Sequence, residues 1–514
     1  MKKIIICLSL TLNFAYSQAP NISYTTPNVF NVGQGIITLI PTTNGGNIIT
    51  QTLVSTFAGS GSVGSTNANG IAASFKLPTV VTLDNFGNIF VVDRSNHKIR
   101  KITPTGDVTT FAGSGSIGST DGIGTAASFK YPDGGVFDSQ NNLFISDQSN
   151  HIIRKITPDG TVSTFAGTGS IGAVDSVGTA ASFYYPAGMA IDANDNLLIA
   201  DYGNNKIRKI TPDGTVTTFA GTGVAGAAEG TVLTAQFNGA TGVCVDSFGN
   251  VFVADYYNNK IRKIDTLGNV STFAGNGAIG STDGIGTAAS FYYPAIVAVD
   301  TANNLYITDE ENHKIRKITT DGVVSTLAGN GTIGANDGIS TSAQFNYPTG
   351  VVIDDSNNVF VCDYGNNKIR KIKTYGFSIS PALPTGLYFD KATGTISGTP
   401  NVVSPETNYT VTASNVDGES SFVISITVNA QLGLPSFNAS NIRIYPNPVM
   451  DILNISASEN ITEIKILNLL GQKLISKTNG SSEEKIDVSS LVNGWYLIQT
   501  TIGNSTKVTK FLKQ

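Results

Sequence analysis

Tyr131, Tyr185, Tyr293 and Tyr347 recur in the context F-x-Y-P, and Tyr184 and Tyr292 fill the x of two of these, six tyrosines in all. A phenol offers a broad apolar face and a polar tip, suited to stacking on a sugar ring or gripping a peptide, which makes these six the candidate ligand-binding residues. The competing reading wedges each ring between repeating units. Asp121, Asp175, Asp283 and Asp337 lie in turns such as "TDGIG", with Glu229 and Asn69 in the related loops. They are weak calcium candidates, because calcium takes several oxygens and each loop brings one acid; capping of the turn by Asp before Gly is preferred. Two further series, Asp93, Asp147, Asp201, Asp255, Asp309, Asp363 and Arg100, Arg154, Arg208, Arg262, Arg316, Arg370, read as a structural lattice, Asp at the turns and Arg paired with acids. His97, His151 and His313 share a turn position with Asn205, Asn259 and Asn367, and sit on separate units toward the rim, so no metal site is expected from them. No nucleophile stands with a base, and "GSGSIG" is not followed by a helix as a phosphate loop requires. The expectation is therefore no catalytic residue, no metal and no cofactor.

The elements that must position these residues follow from their spacing. Phe57 and Phe111 stand 54 residues apart, and Phe165, Phe219, Phe273 and Leu327 continue the series. Each unit holds four short β-branched runs, for example "GMAID", "NLLIAD", "NKIRKIT" and "TVTTFAG", separated by turn-formers. Four strands per unit describe a propeller blade. The first run, "LVSTFAG" from Leu53, is a blade's last strand, and the final unit stops after "NKIRKI" at Ile372. One strand, five whole blades and three strands make six blades, closed by pairing the N-terminal strand with the last three. The "NxKIRKI" run, Asn204, Lys206, Ile207, Arg208, Lys209 and Ile210 in one unit, resembles the NHL-repeat family over residues 52–374. That resemblance implies a propeller and a habit of binding proteins or ligands. It does not imply one activity. The long loops from outer to inner strand share a face with the turns between the second and third strands, and this face is the expected binding face.

Composition narrows the partners. Charged residues make up 13% of the 514, below the ~25% of average soluble proteins, and the formal charge is −5. No basic field is present for phosphates, so nucleic acid is not an expected partner. Lys2 and Lys3 precede the apolar run "IIICLSLTLNFAYS", which reads as a secretory signal peptide over residues 1–17. No later stretch has the ~18 apolar residues of a spanning helix. Cys244 and Cys362, at different positions of different units, read as buried small hydrophobes without a disulfide.

Outside the repeats, "LPTGLYFDKATGTISGTP" precedes a hairpin that alternates Tyr409, Val411, Ala413 and Phe422, Ile424, Ile426. This region resembles the Ig-like (cadherin-like) modules of bacterial surface proteins, whose opening strands resemble Ile22 to Gly46. The expectation is an Ig-like domain in two parts, 20–48 and 375–428, with the propeller at 52–374 inserted between them. A linker, 429–440, leads to a tail, 441–514, that carries Tyr445, Pro446, Asn447, Pro448, Asp451, Gly471, Gln472, Gly494 and Tyr496. The tail resembles the type A C-terminal sorting domain of the type IX secretion system. It implies export through that machinery, handling by its sorting peptidase, and a place outside the cell or on the outer-membrane surface. The expected fold is all-β: a six-bladed propeller, an Ig-like sandwich and a small C-terminal sandwich. The expected function is a secreted or surface-displayed protein that recognises a glycan or protein, the alternatives being a propeller hydrolase or lyase, or a spacer without a ligand.

Overall fold

The computed structural model describes residues 18–430, 442–503 and 505–514. The signal-peptide reading of residues 1–17 and most of the 429–440 linker lie outside them.

β-Branched alternation produces short strands, most of them five or six residues long, at the expected places, and they assemble into six blades. In the third blade the inner strand is Pro186–Ile191, followed by Leu197–Asp201, Lys206–Ile210 and the outer strand Thr215–Ala220, all antiparallel. Five of the six long loops add a two-residue strand to the outer edge of the following blade, and the first makes a single bridge there, Asn69 to Asp107. Ser176–Val177, for example, pairs with Thr215 and Val216. These clasps cover edges that would otherwise be open templates for pairing. The glycine that ends each outer strand is required where it stands: Gly221 has φ +98, and a Cβ there would come 2.7 Å from the carbonyl oxygen of Asn205.

The ring is closed by the strand Gln51–Ala58, which pairs with Lys368–Ser380 from Ala58 opposite Ile369 to Gln51 opposite Tyr375. The apolar cores lie between blades rather than within them. Six clusters follow one another round the ring, and the one that completes it joins Phe360, Cys362 and Ile369 of the last blade to Val81, Ile89 and Val91 of the first. Near the channel, hydroxyls tie neighbours together: Thr79 donates to the carbonyl of Asp133 at 3.2 Å, Thr241 to that of Ala295 at 2.6 Å, and Thr349 to that of Thr79 at 2.9 Å. Cys244 and Cys362 are buried and free.

The strand Lys368–Ser380 does not stop at the propeller. Its end, Gly376 to Ser380, pairs with Ser404–Asn415, which pairs in turn with Gly418–Asn429. Asn28–Asn31 joins Gly418–Asn429 in parallel, and Ile22, Tyr24 and Leu39 share one core with Phe377, Ile396, Tyr409, Val411 and Ile424. The Tyr24 hydroxyl donates to the carbonyl of Gly394 at 2.6 Å. In the C-terminal region, Arg443–Tyr445, Ile452–Leu467, Lys473–Asp487, Gly494–Ile502 and Ser505–Lys513 form one sheet around Leu453, Ile466, Ile498 and Phe511. There the Asn447 side chain accepts from the Leu512 amide at 2.9 Å and donates to the Lys510 carbonyl at 3.3 Å, and the Tyr496 hydroxyl donates to the Val492 carbonyl at 2.7 Å. Gln472 accepts from the Asn468 side chain at 2.7 Å within the turn where Gly471 takes φ +81.

Candidate ligand site at the channel mouth

The Asp and Arg series are buried together. Asp201 and Arg208 meet at 2.9 Å with both side chains at 0% exposure, and the arrangement recurs in all six blades at 2.6–3.1 Å. Each guanidinium also lies 5.1–5.6 Å from the centre of a fully buried phenylalanine ring, Phe183 in this blade. Asp201 does more than end its strand. One oxygen accepts from the Tyr184 amide at 2.8 Å, which pins the long loop, while the other takes Asn204 and Arg208.

The loop acids differ from their expected role. Rather than capping their own turns, Asp121, Asp175, Asp283 and Asp337 reach into the next blade, where each accepts from a buried arginine at 2.5–2.7 Å and from a threonine of the outer strand. A guanidinium already supplies the positive charge at each carboxylate, which removes the reason to place calcium there. Among the described residues no group of three or more His, Cys, Asp or Glu side chains converges as a metal site.

The histidines are not rim residues either. His97, His151 and His313 are 7–9% exposed and close the three-residue turns in left-handed conformation, φ +52 to +57. The His151 Nδ1 accepts from the Tyr185 amide at 3.1 Å, just as Asn259 Oδ1 accepts from Tyr293 at 3.0 Å. The same bond joins His97 to Tyr131 and His313 to Tyr347. Burial, aided at His97 and His151 by nearby cations, holds all three imidazoles below the ordinary histidine range.

Four of the six candidate tyrosines, Tyr131, Tyr185, Tyr293 and Tyr347, are thereby tied across blade junctions, while the Tyr184 and Tyr292 amides bond Asp201 and Asp309 of their own blades. The Tyr185 ring lies 4.8 Å from that of His151 and 4.9 Å from that of Tyr184, and Tyr347 stands edge-on to His313 at 4.8 Å. None of the six lines the cavity at the centre of this face. Two brace residues that do. Tyr293 stacks on Tyr256 at 4.7 Å, with Tyr292 against it, and Tyr131 lies 5.3 Å from the Arg94 guanidinium.

The cavity itself, about 310 Å³, is lined from all six blades. Its principal contributors are the first residues of the turns that follow the buried Asp: Arg94, Gln148, Tyr202, Tyr256, Glu310 and Tyr364. Tyr257, Asp133 and the threonines Thr79, Thr241 and Thr349 add to the polar wall. This ring was missed in the sequence, although a signal exists: within turns that otherwise repeat, the residue after the invariant Asp is Arg, Gln, Tyr, Tyr, Glu and Tyr in turn. The Tyr202 and Tyr257 hydroxyls share a hydrogen bond at 2.7 Å, and Tyr256 hydrogen-bonds Glu310. Gln148 donates to Asp133 at 2.9 Å and accepts from Arg94 at 2.8 Å. Burial pushes the Glu310 carboxyl up to about 7, with Glu311 and Asp133 adding to the rise against the Tyr256 bond. It also raises Asp133 and the phenols of Tyr202, Tyr256 and Tyr364.

Known proteins share these parts. The NHL repeat model matches residues 183–210, 237–264 and 291–318, an Ig domain model matches 348–429, and the secretion system C-terminal sorting domain model matches 443–514. The Arabidopsis thaliana protein SUPPRESSOR OF QUENCHING 1 is 29% identical over 58% of this chain and 30% of its own length. Bos taurus NHL repeat-containing protein 2 is 30% identical over 59% of this chain and 48% of its own. The chain thus spans less than half the length of these relatives. Among solved structures, a Bacteroides thetaiotaomicron protein of unknown function superposes with a TM-score of 0.51 at 19% identity, covering 70% of this chain and 90% of that one. An auxiliary nutrient binding protein of Bacteroides ovatus gives 0.50 at 17%, covering 66% and 83%. The sorting domain directs type IX secretion to the outside or the surface of the cell. The chain is a six-bladed propeller of NHL repeats carried with an Ig domain and ending in a secretion-system sorting domain.

Proposed function

We propose that this exported chain is a recognition protein that holds its ligand, a glycan or a peptide segment of a protein, at the mouth of the propeller channel. One observation carries the reading: six-fold repetition is kept in every buried Asp, Arg and Phe, and is broken where the six successive turns converge on one cavity with Arg94, Gln148, Glu310 and three tyrosines. Four phenols with carboxylates, an amide and a guanidinium supply stacking faces and hydrogen bonds of both senses. The fold shared with a nutrient binding protein agrees with a binding role. In this reading the Ig-like domain is split into 20–48 and 375–428 around the inserted propeller, supported by the single core that both parts build. Two of the candidate tyrosines, Tyr293 and Tyr131, act by holding Tyr256 and Arg94 in place.

The test is saturable binding of the exported chain to arrays of glycans and matrix proteins. Tyr202→Ala with Tyr364→Ala is expected to abolish a specific hit while leaving the unfolding midpoint within a few degrees. Undiminished binding by that variant overturns the assignment of the site.

A further inference from the structure

The charges around the cavity divide unequally. Arg94 is the single cationic side chain among the described residues that line it, and it is already engaged: its Nε lies 3.8 Å from Asp133, and Gln148 bridges the two. Glu310, from the fifth blade, has no such partner. Its carboxylate bonds the Tyr256 hydroxyl, and the charges that face it most strongly are Glu311 beside it and Asp133 across the mouth, both negative. Tyr202, Tyr256, Tyr257 and Tyr364 present four phenol rings to the same space. Tyr256 and Tyr257 stand nearly perpendicular, 82° at 5.1 Å, and Tyr202 is tilted 48° to Tyr257 at 6.1 Å, so their faces do not stack shut against each other.

A carboxylate withdrawn from water without a cation is costly, and phenol faces attract cations through their electron-rich centres. Both features ask for the same missing charge. Resting on the binding reading above, we infer that the ligand carries an organic cation, an ammonium group on a small molecule or a side chain, seated among these phenols against Glu310. The Arg94–Gln148–Asp133 group then fixes the ligand's polar remainder on the opposite wall. Since Glu310 must be ionised to serve, binding strengthens as pH rises through the value near 7 at which it loses its proton. The groups that set that titration are Glu311, Asp133 and Tyr256, with Arg94 held apart by Asp133.

Calorimetric titration of the exported chain with choline, with ethanolamine, and with the neutral isostere of choline in which carbon replaces nitrogen tests this. At least one cation is expected to bind about tenfold or more tighter than the isostere, and tighter near pH 8 than near pH 6. Glu310→Gln, shown to be folded by its unfolding transition, is expected to erase both the preference and the pH dependence. Equal binding of the isostere, or a preference that survives Glu310→Gln, overturns the inference. If an uncharged glycan binds, is lost with Tyr202→Ala, and neither ammonium binds, the cation assignment fails and the recognition reading stands. If a folded chain binds nothing on the arrays or among these probes, both fail.

Discussion

Arg208 and Asp201, seven residues apart in sequence, face each other at 2.9 Å across adjacent strands with neither side chain open to water. The guanidinium spends its other contacts on the carbonyls of Ser182 and Val174 and on Asp175. Removing Arg208 strands the buried Asp201, at a cost of about 3–5 kcal/mol, whereas removing Asp201 leaves the guanidinium still paired with Asp175. Arg208→Met should therefore lower denaturant stability by that order and Asp201→Asn by less, with the double variant clearly less destabilised than the sum. Strictly additive losses would show that the pair is not coupled.

The junction between blades is held by a ring nitrogen or an amide oxygen used interchangeably. His151→Asn should therefore be close to neutral, since Asn259 makes the same bond to Tyr293 from the same left-handed backbone. His151→Ala leaves the Tyr185 amide without its acceptor and should cost about 1–3 kcal/mol.

The same histidines give stability a pH dependence with a defined sign. Their folded values lie below the ordinary 6.5, so the unfolded chain binds more protons as pH falls, and stability is lost below about pH 6.5. Replacing His97, His151 and His313 by Asn should flatten this part of the melting-temperature profile. An unchanged slope would place the titration elsewhere.

Closure of the ring can be compared with an ordinary outer strand. Val54 of the closing strand and Val216 of the third blade occupy equivalent positions and are 0% and 1% exposed. Val54→Asp should destabilise the propeller as severely as Val216→Asp, by roughly 3 kcal/mol or more, since each buries a carboxylate among apolar neighbours. A markedly milder effect at Val54 would mean that the N-terminal strand is loosely attached.

Tyr293 tests the bracing of the mouth. Its ring stacks on Tyr256, so Tyr293→Leu, the residue type of Leu77 at the equivalent junction, should weaken binding at the mouth about tenfold while the neighbouring blades keep their pairing. Binding that survives this change would remove Tyr293 from the site.

Blade number and the closing strand were legible because a fixed period carries both, and because Leu53 begins a run that is unmistakably an outer strand. The clasps such as Ser176–Val177 were not, since two residues show no periodicity. The tyrosines stand out in sequence by repeating, and repetition is also what packing between like blades produces; the Tyr185 amide is held by His151 of the preceding blade. The channel mouth escaped for the opposite reason. Its wall comes from the turn after each buried Asp, where Glu310 and Arg94 are visible in sequence but nothing local says that their side chains converge. That convergence depends on closing the ring.

The strand Lys368–Ser380 is a rail common to two bodies. A pull between the channel and the Ig sheet is shared by this backbone and by the short connection from Gly45 to Gln51, so it loads the ladder to Gln51–Ala58 and the ladder to Ser404–Asn415. Neither can be unzipped from a free end, because the rail is continuous through both. Propeller and Ig sheet are thereby joined through paired strands loaded in shear rather than through a lone flexible link.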